Sequence, residues 1–320
     1  MNSIEVKNLS KVFGNFTSVN NISFEVKEGE VFGFLGSNGA GKSTTIKMLC
    51  GILEPTSGDA LVGGFSIATQ PDEVKRKIGY MSQKFSLYND LTVNENINFF
   101  GGVYGLQNDL LKERKKWVLE ISGLEGRENT LTSSLSVGFK QRLALGCAVI
   151  HEPKIIFLDE PTGGVDPISR RKFWDLITAL SEKGTTVFVT THYLDEAEFC
   201  GRIILIDAGI LIASGSPKEL KNEYIKNKVI QLDCSDIYKA AEILEKEKIT
   251  DSVSIFGNSL HLTMKAPVIS ETIFAEDEIK IITDLLSEDN EIMIYHISEI
   301  TPSLEDVFLY LVENKAADEK

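Results

Sequence analysis

The sequence contains few cysteines and no long apolar segment. The four cysteines, at positions 50, 147, 200 and 234, are far apart in the chain, so no zinc-type or redox-type pair is present and buried thiols in a reducing compartment are predicted. No apolar run approaches the ~18 residues that a membrane-spanning helix needs, and the first residues lack the charged-then-apolar pattern of a secretion signal. These absences predict a cytoplasmic chain that does not cross a membrane by itself.

Positive charge is also scarce. The chain of 320 residues has 33 Lys and Arg against 47 Asp and Glu, a net charge of −14. Nucleic acids and anionic lipid surfaces require a basic footprint, which argues against either as the main partner. Residues 221–320 alone hold 10 Lys and 21 Asp and Glu, so the shift in composition predicts a second, smaller module.

The most informative motif is a glycine-rich segment between an apolar strand and the start of a helix. Gly36 to Thr44 reads GSNGAGKST and fits the phosphate-loop pattern G-x-x-x-x-G-K-[ST]. Glycines allow a tight turn in which successive N–H groups face phosphate oxygens. Lys42 is predicted to reach the β- and γ-phosphates, and the hydroxyl of Ser43 to ligate Mg²⁺. The residues predicted to hold the nucleotide here are Gly36, Ser37, Asn38, Gly39, Ala40, Gly41, Lys42, Ser43 and Thr44.

Two adjacent acids follow a buried strand further along the chain. The apolar run before Asp159 predicts that Asp159 and Glu160 lie at the carboxyl end of a strand, where open α/β sheets place their sites. Asp159 is suited to contact Mg²⁺, and Glu160 to aim or polarise a water at a γ-phosphate.

The distribution of apolar residues predicts an α/β fold. Segments with alternating polarity near the start predict an antiparallel edge, and buried strands that alternate with helices predict a mostly parallel sheet. After Lys228 the predicted order is β-α-β-β-α-β, typical of a small ferredoxin-like module. A last helix, Ser303–Val312, has Ser303 and Asp306 at capping-box positions and an apolar face predicted to dock on a partner.

Together with five further segments, these motifs make the sequence resemble the ATP-binding subunit of an ABC transporter. The segments contain Phe13 in KVFG, Gln83 in YMSQ, LSVGFKQR from Leu135, Asp166 in GGVD and His192 in TTHYLDEAE. The order of segments and the tail from Pro302 to Phe308 are similar to the ATPase subunits of bacterial drug and lipid exporters of the antibiotic-resistance (daunorubicin) type.

The resemblance implies a role for each of these residues. Phe13 would stack on adenine, Gln83 would contact Mg²⁺ and communicate with membrane subunits, and His192 would contact the γ-phosphate. Ser136, Gly138 and Asp166 would complete an ATP site shared between two subunits. The implied catalytic residues are Glu160, His192 and Gln83, and the implied metal ligands are Ser43, Gln83 and Asp159.

The resemblance also implies an architecture and partners. Residues 1–225 would form a P-loop ABC ATPase cassette with a mostly parallel sheet, an antiparallel edge subdomain and a helical subdomain at about 86–148. Residues 226–320 would form the accessory α+β (ferredoxin-like) domain. Two copies would bind ATP and Mg²⁺ between them, hydrolyse the ATP, and energise a membrane-spanning permease from the inner face of the membrane.

Two alternatives stay open, and one of them comes from a departure from the family pattern. Val137 and Phe139 replace the first glycine and the glutamine of the usual LSGGQ signature. A regulatory protein that binds ATP without turnover is therefore one alternative, although Glu160 and His192 argue against it. A soluble ATPase that remodels ribosomes or DNA is another, although such proteins usually have two cassettes or a coiled coil.

Overall fold

The computed structural model divides the chain into two compact units. Unit 1 comprises Met1–Ser216 and unit 2 comprises Pro217–Lys320, whereas the sequence predicted a boundary at 225/226. The structure describes residues 1–83, 87–247, 249–265, 275–287 and 292–318. Position 86, at the start of the predicted helical subdomain, lies outside this range, as do positions 248, 266–274, 288–291 and 319–320 of the predicted accessory domain.

Unit 1 contains an antiparallel and a mostly parallel sheet. In its described part the antiparallel sheet has the order β2-β1-β4-β5, and the second sheet has the order β10-β9-β3-β8-β7-β6. Within the second sheet β10 is antiparallel to β9, and the other pairs are parallel. The strands are β1 (Asn2–Phe13), β2 (Phe16–Lys27), β3 (Val31–Leu35), β4 (Ser57–Val62), β5 (Phe65–Ser66), β6 (Ile78–Met81), β7 (Ile155–Asp159), β8 (Thr186–Thr191), β9 (Arg202–Asp207) and β10 (Ile210–Gly215).

Two helices of unit 1 begin at residues whose N-capping pattern is visible in the sequence. Thr92 and Glu95 form a capping box in which each side chain accepts from the other residue's backbone N–H. Asp166 caps a later helix by accepting from the backbone of Ser169 at 2.9 Å, and Pro167 follows it. The helices are α1 (Lys42–Leu49), α2 (Pro71–Lys77), α3 (Val93–Val103), α4 (Asn108–Ser122), α5 (Val137–Ala148) and α6 (Pro167–Glu182).

The order of the parallel strands determines where the site lies. Strands β3, β8, β7 and β6 are neighbours, and they all run in the same direction. The segments that follow their carboxyl ends therefore meet at one edge of the sheet. These strands are buried, because the core joins both sheets and includes the packed rings of Phe32, Phe34, Phe157 and Phe188.

Unit 2 begins with a helix and continues with a four-stranded antiparallel sheet. The strand order is β12-β13-β11-β14, and the strands and helices alternate as β-α-β-β-α-β between Val229 and Ile300. Its own core holds Ile230, Leu232, Leu260 and Leu262. The elements are α7 (Pro217–Tyr224), β11 (Val229–Cys234), α8 (Ile237–Glu247), β12 (Thr250–Phe256), β13 (Ser259–Met264), α9 (Ala275–Ser287), β14 (Ile294–Ile300) and α10 (Leu304–Asp318).

The last helix differs from its prediction in two respects: α10 continues to Asp318 instead of ending at Val312, and part of its apolar face is covered. Its capping box is confirmed, since the carboxylate of Asp306 accepts from the backbone of Ser303 at 2.7 Å and the Ser303 hydroxyl accepts from the backbone of Asp306 at 3.2 Å. However, Leu304 and Val307 are only 2% and 0% exposed, and α10 packs on α7 and β12 within the same unit. Much of the apolar face that was predicted to dock on a partner is thus covered by unit 2 itself.

Candidate functional site

The phosphate loop joins β3 to α1 at the edge described above. Gly39 and Gly41 have φ of 86° and 106°, in the left-handed region that favours glycine. A Cβ at Gly36 would lie 2.2 Å from the carbonyl oxygen of Ile206, and one at Gly41 would lie 2.5 Å from that of Ser18. Both positions therefore require glycine for the loop to pass so close to the neighbouring backbone.

Lys42 is buried within the loop. Its side chain is 4% exposed, and its Nζ donates to the carbonyl oxygens of Gly36 at 2.8 Å and Ser37 at 3.0 Å. Oε1 of Glu160 lies 3.3 Å from the same nitrogen. The ammonium group thus stands where the loop turns into the first turn of α1. No side chain caps that turn, so its N–H groups and macrodipole can face an anion.

Asp159 lies beside the first residues of α1, although it is more than a hundred positions away in the sequence. Its Oδ1 accepts from the hydroxyl of Ser43 at 3.1 Å and from that of Thr190 at 2.7 Å. Burial raises the pKa of Asp159, while the hydrogen bonds from Thr190 and Ser43 act in the opposite direction. Asp159 is only 1% exposed. Its carboxylate therefore offers an oxygen ligand for a metal ion in a position that is nearly free of water.

Glu160 lies at the centre of the predicted catalytic residues. Its Oε2 accepts from Nε2 of Gln83 at 2.8 Å and lies 3.3 Å from Nδ1 of His192. Its φ of 47° is uncommon for a residue other than glycine. The backbone N–H of Glu160 donates to the carbonyl oxygen of Thr190 at 3.1 Å and to its hydroxyl at 3.0 Å, which fixes this conformation. Such strain is frequent at functional sites.

The signature segment is at the start of α5 rather than at the phosphate loop. Ser136 is the exposed N-cap of α5, and Val137 is the first helical residue, with 39% of its surface exposed. Gly138 is buried, and a Cβ there would lie 2.6 Å from both Cβ and Oγ of Ser169 in α6. Phe139 turns away from this surface, because its ring packs against the guanidinium groups of Arg127 and Arg142.

Phe13 and Asp166 also lie apart from the catalytic group. Phe13 ends β1 with 47% of its surface exposed, and Nζ of Lys11 lies 5.3 Å from its ring. Asp166 is exposed at the start of α6, where the hydrogen bond from Ser169 lowers its pKa. Within the part of the chain that the structure describes, no hydrogen bond joins Phe13, Ser136, Gly138 or Asp166 to the phosphate loop. Their predicted roles stay predictions.

The structure thus brings together Lys42, Ser43, Gln83, Asp159, Glu160 and His192. The sequence reasoning did not single out Thr190, whose hydroxyl bonds Asp159 and whose carbonyl and hydroxyl oxygens both hold the backbone of Glu160. It also missed Thr162, Thr191 and Glu196, which are buried behind His192 and Glu160. The signal was present, since polar residues at the end of an otherwise apolar strand need partners.

A phosphate loop, two acids and a histidine at one edge of a parallel sheet define a P-loop nucleotide-binding protein. Residues 19–163 match the family model described as ABC transporter. The linearmycin resistance ATP-binding protein LnrL of Bacillus subtilis (strain 168) is 36% identical over 321 residues, which cover 98% of this chain and 100% of LnrL. This chain therefore belongs to the ABC transporter family, as one of its ATP-binding proteins.

Other relatives and a solved structure agree. The daunorubicin/doxorubicin resistance ATP-binding protein DrrA of Streptomyces peucetius is 35% identical over 99% of this chain and 94% of DrrA. The probable multidrug ABC transporter ATP-binding protein YbhF of Escherichia coli (strain K12) is 54% identical over 68% of this chain, but the match spans only 38% of YbhF. The dimeric ATP-binding cassette MJ0796, solved after hydrolysis with ADP and Pi, has a TM-score of 0.61 at 29% identity over 67% of this chain and 98% of that chain.

These comparisons confirm the resemblance to drug-resistance ATP-binding proteins and the P-loop ABC cassette fold. They favour a transporter subunit over the soluble remodelling ATPase. In the described part of the chain no helix is both long and apolar enough to span a membrane.

Proposed function

We propose that this chain hydrolyses ATP as a homodimer and thereby energises a membrane-spanning permease that exports a drug, a lipid or a related substrate. One observation carries the proposal: the carboxyl ends of three adjacent parallel strands, β3, β8 and β7, place Lys42, Asp159, Glu160 and His192 within hydrogen-bond or ion-pair distance of one another or of the phosphate loop. A protein that only bound ATP would not need the acid and the histidine beside the γ-phosphate position.

The phosphate loop is suited to ATP and Mg²⁺. Lys42 and the loop amides would hold the phosphates, and Phe13 would stack on adenine. Ser43 and Asp159 present a hydroxyl and a carboxylate oxygen 3.1 Å apart, and hard oxygen donors are what Mg²⁺ prefers. When bound, the metal supplies charge neutralisation on the phosphates. Gln83 is a further proposed ligand, and in this structure its amide contacts Glu160 instead.

Glu160 and His192 are the proposed hydrolytic pair. Glu160 would orient and polarise the attacking water, because Gln83 and Lys42 hold its carboxylate and the hydroxyl and carbonyl oxygens of Thr190 hold its main chain. His192 lies 3.3 Å from that carboxylate and would contact the γ-phosphate.

A second copy of the chain would complete each ATP site. Ser136 is exposed at the start of α5, where a helix N-terminus favours an anion, and Gly138 and Asp166 lie on the adjoining segments. The dimeric state of the MJ0796 cassette supports this arrangement. In each proposed site, ATP lies between Lys42 of one subunit and Ser136 of the other.

The remaining parts of the chain would serve coupling. The helical subdomain, about residues 86–148, contains α3, α4 and α5 and would face the permease together with Gln83, which places the protein at the inner face of the membrane. Unit 2 would be an accessory ferredoxin-like domain, which its strand order β12-β13-β11-β14 supports. We place the boundary between the domains at 225/226, as the sequence suggested, although the contacts group α7 with the second unit.

The substitution Glu160→Gln tests hydrolysis. The amide keeps the size of the side chain but is no base, so we expect steady-state ATPase activity to fall by on the order of 10²–10⁴ while ATP affinity is retained. Trapped ATP should then hold two subunits together in size-exclusion chromatography with ATP and Mg²⁺. Glu125→Gln, at an exposed position of unit 1, is the matched control. Wild-type turnover by Glu160→Gln would contradict the proposal.

A further inference from the structure

A buried carboxylate bonds the segments next to Glu160 and His192, and in the described part of the chain no hydrogen bond joins it to the phosphate loop. Glu196 belongs to the short helix Leu194–Phe199 that follows His192, and it is 0% exposed. Its Oε1 accepts from the hydroxyl of Thr162 at 2.6 Å, and its Oε2 accepts from the hydroxyl of Thr191 at 2.9 Å. Each carboxylate oxygen is thus bonded to a different segment of the chain.

The two threonines identify what Glu196 joins. Thr162 comes two positions after Glu160, and Thr191 comes directly before His192. Glu160 and His192 approach each other at 3.3 Å, and Glu160 also lies 3.3 Å from Lys42 of the phosphate loop. Glu196 therefore links the segments that carry Glu160 and His192, through the side-chain hydroxyls of Thr162 and Thr191.

A third segment meets the same carboxylate. Nε of Arg170, in the first turns of α6, lies 3.4 Å from Oε1 of Glu196. The guanidinium group of Arg170 also covers the ring of Tyr193 at 4.4 Å. Asp166, which is proposed to face the second subunit, is the N-cap of α6. Through Arg170, the start of α6 is therefore connected to Glu196 as well.

Stability alone is a poor explanation for this cluster. Burial raises the pKa of Glu196, and the two hydroxyls and Arg170 act against that rise. Replacing a buried ionic cluster with apolar residues of similar volume is often neutral or stabilising. What such a cluster does supply is a fixed geometry, because each oxygen and donor accepts only a narrow range of positions.

We propose that Glu196 is a positioning residue for ATP hydrolysis, which keeps Glu160 and His192 at their working separation by bonding Thr162 and Thr191. The inference rests on the proposed function, because it concerns the same reaction. A displacement of about 1 Å in a reacting group can lower the rate by as much as 10²-fold. Loss of either hydroxyl should therefore affect turnover more than nucleotide binding.

The test compares isosteric and conservative variants of the full chain. Thr191→Val and Thr162→Val remove one hydroxyl each and keep the shape, whereas Thr191→Ser and Thr162→Ser keep the hydroxyl. We expect the valine variants and Glu196→Gln to lower kcat by roughly 10-fold or more with KM for ATP within about 2-fold, in line with a positioning effect. The serine variants should recover most of the wild-type kcat. Glu198→Gln, at an exposed position on the same short helix, is the matched control.

The outcomes separate the inference from the function on which it rests. A wild-type chain that does not hydrolyse ATP, alone or with its permease, would overturn the proposed function and this inference with it. If the wild type is active and Glu160→Gln is not, wild-type kcat in the valine variants would overturn the inference alone. It would also fail if serine and valine variants lost kcat equally, or if the loss came with weaker ATP binding and a lower unfolding temperature, since both results indicate a merely structural role.

Discussion

The signature glycine provides a sharp test of the packing in unit 1. In Gly138→Ala the new Cβ would lie 2.6 Å from both Cβ and Oγ of Ser169. Ordinary contacts between such atoms are about 3.5–4.0 Å, so the two helices must separate locally by about 1 Å. The atom in the way is not only a movable hydroxyl, because the Cβ of Ser169 is fixed by the backbone of α6.

The cost follows from this overlap. Overpacking of this kind costs about 1–3 kcal/mol, and the gain from replacing a helical glycine, about 0.5–1 kcal/mol, offsets part of it. A net loss of about 1–2 kcal/mol should lower the unfolding midpoint of unit 1 by roughly 2–8 °C. The same shift would move the start of α5, so ATP hydrolysis should fall as well.

Thermal unfolding of four proteins measures the effect. The single variants Gly138→Ala and Ser169→Gly and the double variant form a cycle with the wild type, and Ser169→Gly removes both atoms that clash. We expect Ser169→Gly to remove most of the destabilisation that Gly138→Ala causes. The coupling energy between the two substitutions should be about 1–2 kcal/mol. Gly102→Ala in α3 is the control, since a Cβ there meets no atom within 4 Å.

Two results would refute the reasoning. One is a Gly138→Ala protein as stable as the wild type, and the other is a double variant no more stable than the sum of its parts predicts.

Two further substitutions probe other regions. The ring of His151 stacks on Tyr104 at 3.6 Å, and burial lowers the pKa of His151 to about 4. The pKa of histidine in the unfolded chain is about 6.5. The contribution of neutral, buried His151 to the free energy of unfolding is therefore complete above pH 6.5 and is lost as the pH falls from about 6.5 towards 4. This shift in pKa corresponds to a loss of at most about 3.4 kcal/mol of unfolding free energy. We reduce that value to about 2 kcal/mol because His151 is partly exposed. Urea unfolding should therefore show that His151→Phe loses less unfolding free energy between pH 7 and pH 5 than the wild type does. An equal loss in the two proteins would contradict the account. Val137→Gly should leave steady-state ATPase level or lower, since Val137 is exposed and glycine adds freedom to the loop of Ser136; a several-fold gain would show that valine restricts the site.

Contiguous motifs were the part of the site that could be predicted from the sequence. The phosphate loop is nine consecutive residues, and its glycine spacing already implies the backbone path that Gly36 and Gly41 adopt. Strand ends were predicted for the same reason, because an apolar run that stops at Asp159 predicts both the strand and its polar end. The capping box at Ser303 and Asp306 is equally local, and it is confirmed.

Several elements were missed, and for one of them a local signal existed. Helix α6 starts at Asp166 and Pro167, and its buried residues Phe173, Trp174 and Ile177 recur at helical spacing. The strands β5 and β6 are two and four residues long, too short for alternation to be distinguished from chance. The burial of the apolar face of α10 depends on α7, because only the packing of the two helices decides whether Leu304 is covered.

The sequence by itself determined the chemistry of this protein: a loop for phosphates, two acids, a histidine and the family to which they belong. Tertiary structure decided which residues support that chemistry from a distance. The carboxylate of Glu196 meets Thr162 from 34 positions away, and Ser43 meets Asp159 from 116 positions away. The physical reason is that a local motif contains its own backbone geometry, whereas such distant pairs exist only once the order of the parallel strands has brought their ends to one edge.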